Sequence, residues 1–495
     1  MASTDTATRV LDNYVGGRWT ASSSSELLDV TNPATGEVLA RVPLSTAAEL
    51  DAAVAAAREA LPAWRGVSVP ERARRLVTLR EKLIARQDEL ARSVTMEMGK
   101  TLPDARAEVG RMIEMVEAAC AVPTTMQGRI IEDVARNVDA ETVRQPVGVC
   151  AAIVPFNFPA MVPFWFLPFA IACGNTFVLK PSEQVPVTQS LVFESIDELD
   201  LPEGVVNLVN GDRGIADAIL DHPDIDAVSF VGSAKVARHV YARAAARGKR
   251  VQALGGAKNH MVVMPDAVLD KTVSGLLGSA FGAAGQRCMA GSVVVAVGDA
   301  HARLRDALRE AAADMKVGDG LEEGVDVGPL ISRSACERVR GYVDRAEAEG
   351  AEIVLDGRHA PEGFVGPTII DGVNPEMEVW RDEVFGPVLA MVHAESLDDA
   401  IGVVNSSAYG NGVSIFTESG AAVRRFRHDV EVGMIGVNVG VAAPVAFFPF
   451  SGWKDSFLGD LHAHGTDAVD FYTRKKTITA RYFSSGESGS YFVEN

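Results

Sequence analysis

Between Gly148 and Leu254, short wholly apolar runs alternate with longer segments of helical character. The pattern predicts strands over 149–154, 176–179, 205–209, 227–231 and 250–254. Helices are expected between them, over 164–172, 187–199, 215–220 and about 235–246. Strands with no polar face must be covered on both sides, and helical crossovers supply the cover. The chain is therefore expected to be α/β, built on a doubly wound parallel sheet. Sheets of this kind bind ligands outside the carboxyl ends of their strands. The segments that follow these strands are the places to expect chemistry.

The start of this region invites a different reading. No charged residue lies between Arg144 and Lys180, which is long enough for a membrane helix. Pro146, Pro155, Pro159, Pro163 and Pro168 interrupt it, and each internal proline costs a helix about 3 kcal/mol. A buried strand, a rigid loop and a buried helix are expected instead. Upstream, residues 10–45 read as small strands. Helices are expected over 47–63 and 71–98, and a third after Pro103. That third helix carries Val109, Met112, Ile113, Val116 and Cys120 on one face. Arg111 falls off this stripe and reads, by pattern alone, as a solvated arginine. A second alternating region runs from 260 to about 439. It includes strands at 261–263, 293–297 and 352–355 and helices at 269–281, 302–315 and 397–405. Residues 471–480 alternate β-formers with polar groups, as a terminal strand would if it paired outside its own domain.

A net charge of −19 argues against nucleic acid or an anionic membrane surface as a partner. The five cysteines, 120, 150, 173, 288 and 336, are widely spaced and form no Cys-x-x-Cys. That usage points away from a disulfide framework or a zinc site and toward a reducing compartment. The first residues lack the apolar core of a signal peptide, so a cytoplasmic location is expected.

Five features can carry chemistry. Cys288 sits in Phe281-Gly-Ala-Ala-Gly-Gln-Arg-Cys288, a run of small residues that ends beside Arg287. A fixed cation there is expected to favour the thiolate, which is the nucleophilic form. Asn157 lies between Pro155 and Pro159 after the first strand, its amide aimed by a rigid backbone, as an oxyanion donor requires. Lys180 and Glu183 follow the next strand and suit ribose hydroxyls. A carboxylate there would repel a 2′-phosphate, which favours NAD over NADP. Gly232-Ser233 opens a helix and offers N–H groups and a hydroxyl to phosphate, although no Gly-x-Gly-x-x-Gly is present. Glu383 and Phe385 sit on a tight turn before Pro387. Each feature alone is ordinary.

As an ordered set the features are specific. Pro155-Phe-Asn157-Phe-Pro159, Lys180-Pro-Ser-Glu183, Phe230-Val-Gly232-Ser233, Gly285-Gln-Arg-Cys288, Glu383-Val-Phe-Gly-Pro387 and Asn438 resemble the aldehyde dehydrogenase superfamily in order and spacing, over nearly the whole chain. The resemblance implies a Rossmann-type NAD-binding domain (1–127 and 147–257), an α/β catalytic domain (258–467) and a small β oligomerisation arm (128–146 and 468–495). It implies a homodimer or homotetramer. It implies attack by Cys288 on an aldehyde, with the oxyanion held by Asn157 and the Cys288 N–H. NAD would be held by Val154, Phe156, Lys180, Glu183, Gln184, Gly232, Ser233, Gly255, Glu383 and Phe385. No metal is implied.

One departure bears on the subclass. The superfamily's thioester-hydrolysing glutamate, counted from Cys288, falls here on Leu254, which cannot accept a proton. A thioester on Cys288 would then await a thiol such as coenzyme A, part of which is already thiolate at neutral pH. Gly256-Ala-Lys-Asn-His260, Phe447-Phe-Pro-Phe-Ser-Gly-Trp453 and Val469-Asp-Phe-Tyr-Thr-Arg-Lys-Lys476 resemble the CoA-acylating methylmalonate-semialdehyde dehydrogenase family. That resemblance implies malonate or methylmalonate semialdehyde as substrate, with acetyl-CoA or propionyl-CoA and CO2 as products. It implies a role in valine, inositol or β-alanine breakdown. It makes Arg111 and Arg287 the clamp for the substrate carboxylate. A hydrolytic enzyme acting on another acidic semialdehyde is the competing reading. A non-catalytic NAD-binding relative is a second. Ala237 and Gly255 also depart from the superfamily pattern, in the cofactor region.

Overall fold

The computed structural model describes residues 8–483. The outer ends of the expected NAD-binding domain (1–7) and of the expected arm (484–495) lie outside the described residues. Five parallel strands form the centre of the first sheet, in the order Val206–Leu208, Thr176–Lys180, Val149–Ile153, Ala227–Val231, Arg250–Leu254. Antiparallel strands extend it: Asn13–Val15 and Arg18–Thr20 at one edge, Phe457–Leu458 at the other. The central strands are apolar and almost entirely buried, as their sequences require. From Val149–Ile153 the chain winds first to one side and then to the other. The strand order therefore reverses beside it, and a crevice opens at the carboxyl ends there.

A second sheet has seven strands, in the order Glu352–Leu355, Thr368–Asp371, Val388–Ala394, Gly291–Val297, Asn259–Val263, Gly412–Phe416, Met434–Val437. All its pairings are parallel except the first. The terminal strand Thr473–Arg481 pairs with Val138–Pro146, far earlier in the chain, and Arg129–Ala135 completes a three-stranded antiparallel ribbon. Arg129–Ala135 is exposed throughout, with Ile130, Ile131 and Val134 at 62, 60 and 52%.

Two helices are shorter than the sequence pattern suggests. Residues 71–98 form two, Val69–Ala85 and Gln87–Met98, which meet at Arg86 with φ −107° and ψ 13°. The 164–172 segment becomes Met161–Phe164 and Leu167–Ala172, because Pro163 and Pro168 lack the N–H a continuous helix needs. Among the described residues, no helix is long and apolar enough to cross a membrane.

Candidate active site

The segment bearing Cys288 follows the helix Leu269–Phe281, and its backbone is unusual. Ala283, Ala284 and Gly285 all take positive φ, of 51°, 52° and 70°. Glycine is required at 285, where a Cβ would stand 2.2 Å from the Gly386 carbonyl oxygen. The two alanines sit in the left-handed region at a cost of about 1–2 kcal/mol each. Neighbouring groups hold them there. Ala283 N donates to Asp104 Oδ2 (3.0 Å), and Gln286 Oε1 accepts from Ile331 N (3.0 Å). Asn259 and Asn411 both donate to the Cys288 carbonyl oxygen, at 2.8 and 3.0 Å.

Cys288 lies where two cavities meet. One, of about 160 Å³, is lined by Arg111, Arg287, Lys100, Phe158, Trp165 and Cys288 among others. Arg111, off the apolar stripe of its helix, thus faces the same space as the thiol. It is tied to Glu114 (2.5 Å) and donates to the Pro444 carbonyl oxygen (2.8 Å). The second cavity, about 510 Å³, joins Cys288 and Asn157 to Gln184, Gly232, Gly255 and Glu383. It continues into a cleft of about 570 Å³ lined by Val154, Lys180 and Glu183; Phe156, Gly232 and Ser233 line both. All ten residues expected at the cofactor thus border one crevice at the strand reversal. Asn438 stands apart from these cavities. It closes a turn at φ 55°, with its side chain paired to the Thr417 backbone.

The crevice suits a dinucleotide. Ser233 caps the thirteen-residue helix Ala234–Ala246, yet its hydroxyl makes no capping bond, and the residue lines both cavities, a setting suited to a phosphate. Lys180 and Glu183 pair at 2.9 Å on its rim. Gly255 permits close packing at its floor: a Cβ would meet Asp455 O at 2.8 Å and Ala237 Cβ at 3.6 Å. The two departures at Ala237 and Gly255 therefore lie against each other. Phe385, held at φ 53°, meets Phe156 edge to face at 5.9 Å. Leu254 is buried in the core and is not among the lining residues of either cavity at Cys288.

Electrostatics add to one expectation. Burial pushes the Cys288 thiol up to about 12, and the Glu383 charge pushes the same way. Arg287 and the N–H groups of Cys288 and Met289 pull it down without prevailing. The Arg287 guanidinium is turned toward the Gly278 and Ser279 carbonyls, while its Nε has no partner. Arg287 thus acts in the expected direction, toward the thiolate, but burial and the Glu383 charge outweigh it. Burial raises Glu383 to about 7, opposed by the Ala257 N–H and Lys258. Lys258 is lowered to about 8 by burial and ties this region together, donating to the Val379 and Asp382 carbonyls at 2.6 and 2.8 Å.

The sequence reading passed over Lys100, Asp104 and Glu108, which line the small cavity. Their signal was a charge on an apolar face: Glu108 stands one turn before Met112, on the buried side of its helix.

The chain belongs to the aldehyde dehydrogenase family, whose profile (Aldehyde dehydrogenase family) matches residues 19–478. It is 55% identical over 482 residues to malonate-semialdehyde dehydrogenase 3 of Geobacillus kaustophilus, covering 96% of this chain and 100% of that one. It is 50% identical over 476 residues to the malonate-semialdehyde dehydrogenase of Halalkalibacterium halodurans, covering 95% and 98%. Among solved structures, a methylmalonate-semialdehyde dehydrogenase from Oceanimonas doudoroffii superposes with a TM-score of 0.95 at 45% identity, covering 97% and 99%. A putative methylmalonate-semialdehyde dehydrogenase from Sinorhizobium meliloti, complexed with NAD, does so with a TM-score of 0.95 at 42% identity, with the same coverage.

Proposed function

We propose that the chain is an NAD-dependent, CoA-acylating dehydrogenase of malonate and methylmalonate semialdehyde. The observation that carries this is the meeting of Cys288, Arg111 and Arg287 in one small cavity, a nucleophile facing two cations. An aldehyde bearing a carboxylate fits that pairing, because guanidinium binds carboxylate in two-pronged fashion. Cys288 Sγ, once deprotonated, adds to the aldehyde carbon, and Asn157 Nδ2 with the Cys288 N–H holds the resulting oxyanion. The ten crevice residues would hold NAD, which when bound would supply the hydride acceptor needed to take the adduct to a thioester. The thioester carbonyl then stands two bonds from the carboxylate. It accepts the electron pair as CO2 departs, Asn157 steadies the enolate, and a proton from water at the α-carbon gives the acyl thioester. With Leu254 buried where the family's base would stand, the acyl group passes to the thiol of coenzyme A.

Malonate semialdehyde and NAD should yield NADH and acetyl-CoA in steady turnover when coenzyme A is present. Without it, turnover should stall after about one equivalent. Steady formation of malonate without coenzyme A, identified by mass, would replace this reading with a hydrolytic one. Glu183→Ala should weaken NAD binding about 10–100-fold, the loss of one hydrogen bond to a charged group. Calorimetric titration checks it, and an unchanged dissociation constant removes the ribose role.

We also infer the three-part division stated above, with boundaries at 127/128, 146/147, 257/258 and 467/468. The exposed Ile130, Ile131 and Val134 support use of the ribbon as a contact between subunits of a homodimer or homotetramer. Five free cysteines support a cytoplasmic location.

A further inference from the structure

The turn that carries Asn157 is held by three side chains. Lys100 Nζ donates to the Asn157 carbonyl oxygen at 2.7 Å and to Glu108 Oε2 at 2.6 Å. Glu108 Oε1 accepts from the Ala160 and Met161 N–H groups, at 2.8 and 3.2 Å. Gln189 Nε2 donates to the Pro159 carbonyl oxygen at 2.6 Å. Lys100 Nζ also lies 3.9 Å from the centroid of the Phe158 ring. The pair is buried, with side-chain exposures of 1% for Lys100 and 0% for Glu108. Gly99, at φ 95°, ends the helix Gln87–Met98 and turns the chain so that Lys100 points inward.

A buried ion pair is poor at adding stability, because desolvation offsets the attraction. This one is placed where position matters. Asn157 is fixed through its main chain by Lys100. From the other side its amide donates to the Gln286 carbonyl oxygen at 3.0 Å, two residues before Cys288. A donor that must meet a developing oxyanion tolerates displacements of only about 0.5 Å.

We propose that Lys100, with Glu108 as its counter-charge, is a positioning residue that sets Asn157 relative to Cys288. The proposal rests on the reading of Asn157 as the oxyanion donor. A double-mutant cycle with malonate semialdehyde, NAD and coenzyme A tests it. Lys100→Met should lower kcat about 10–100-fold, as a misplacement near 1 Å does, with KM changed less than threefold. Asn157→Ala should lower kcat about 100–1,000-fold. The double variant should be no more than about threefold slower than Asn157→Ala, because a donor already lost cannot be misplaced. Losses that multiply, or a Lys100→Met effect confined to KM, overturn the proposal. An unchanged kcat in Asn157→Ala alone overturns instead the reading beneath it. Should Lys100→Met fail to fold, Lys100→Met with Glu108→Gln takes its place in the cycle. That variant removes the stranded charge and keeps the acceptor for Ala160 and Met161, and full activity in it also overturns the proposal.

Discussion

Cys288→Ala is expected to abolish NADH formation from every aldehyde, a loss of at least about 10⁴-fold in kcat. The thiol is the one group at the junction of the two cavities that can bond an aldehyde carbon while the crevice side receives a hydride. Deleting Sγ leaves the crevice residues untouched, so NAD affinity should stay within about twofold by titration. Retained NADH production would dismiss covalent catalysis. The state of the thiol gives a second readout. Burial and Glu383 hold it up to about 12, so the neutral thiol is favoured at pH 7. Alkylation of the ligand-free protein by iodoacetamide should therefore be slow at neutral pH and climb about tenfold per pH unit between 7 and 10. A plateau near pH 7 would mean that the thiolate is already formed. With the thiol held up in this way, catalysis at neutral pH requires that binding of cofactor or substrate change its surroundings. The electrostatic lever is Glu383, whose charge opposes ionisation and which borders the same cavity.

Much of the fold was legible because this chain writes its strands as uninterrupted apolar runs. Ala227–Val231 and Arg250–Leu254 begin and end where the sequence pattern places them. The site was legible to the extent that its residues follow strands. Asn157, Lys180 and Ser233 do, and the topology carries them to the same edge. What stayed hidden depends on tertiary packing. Arg111 looks solvated from its helix alone. Its neighbours across the cavity come from the Cys288 segment and the loop at Pro444, hundreds of residues away. The left-handed turn at Ala283 and Ala284 had no local signal, because alanine has no preference for that region; the capture of Ala283 N by Asp104 holds it there. The opposition to the Arg287 effect on Cys288 was hidden for a related reason. Adjacency in sequence showed Arg287, whereas burial and Glu383, distant in sequence, decide the outcome.

Arg287→Ala should raise KM for malonate semialdehyde about 30–100-fold and leave KM for propanal within about threefold. The magnitude follows from charge-assisted hydrogen bonds, each worth about 1.5–3 kcal/mol when a carboxylate is the partner. Arg111→Ala should act in the same direction with a smaller effect. Its guanidinium is already shared with Glu114 and the Pro444 carbonyl, so part of its capacity is spent before substrate arrives. Arg287 spends its Nη2 on two carbonyls, while no acidic side chain is hydrogen-bonded to its guanidinium among the described residues. Propanal separates this role from a structural one. Arg287 also anchors the Cys288 segment to the end of the helix Leu269–Phe281, and loosening that anchor would slow both aldehydes alike. Equal losses on the two substrates would therefore leave Arg287 as a strut and remove the carboxylate clamp. A loss confined to the acidic aldehyde would assign the cavity's preference to its two arginines. Arg287→Lys sharpens the comparison: a lysine keeps the charge but not the fork, so it should recover only part of the lost affinity.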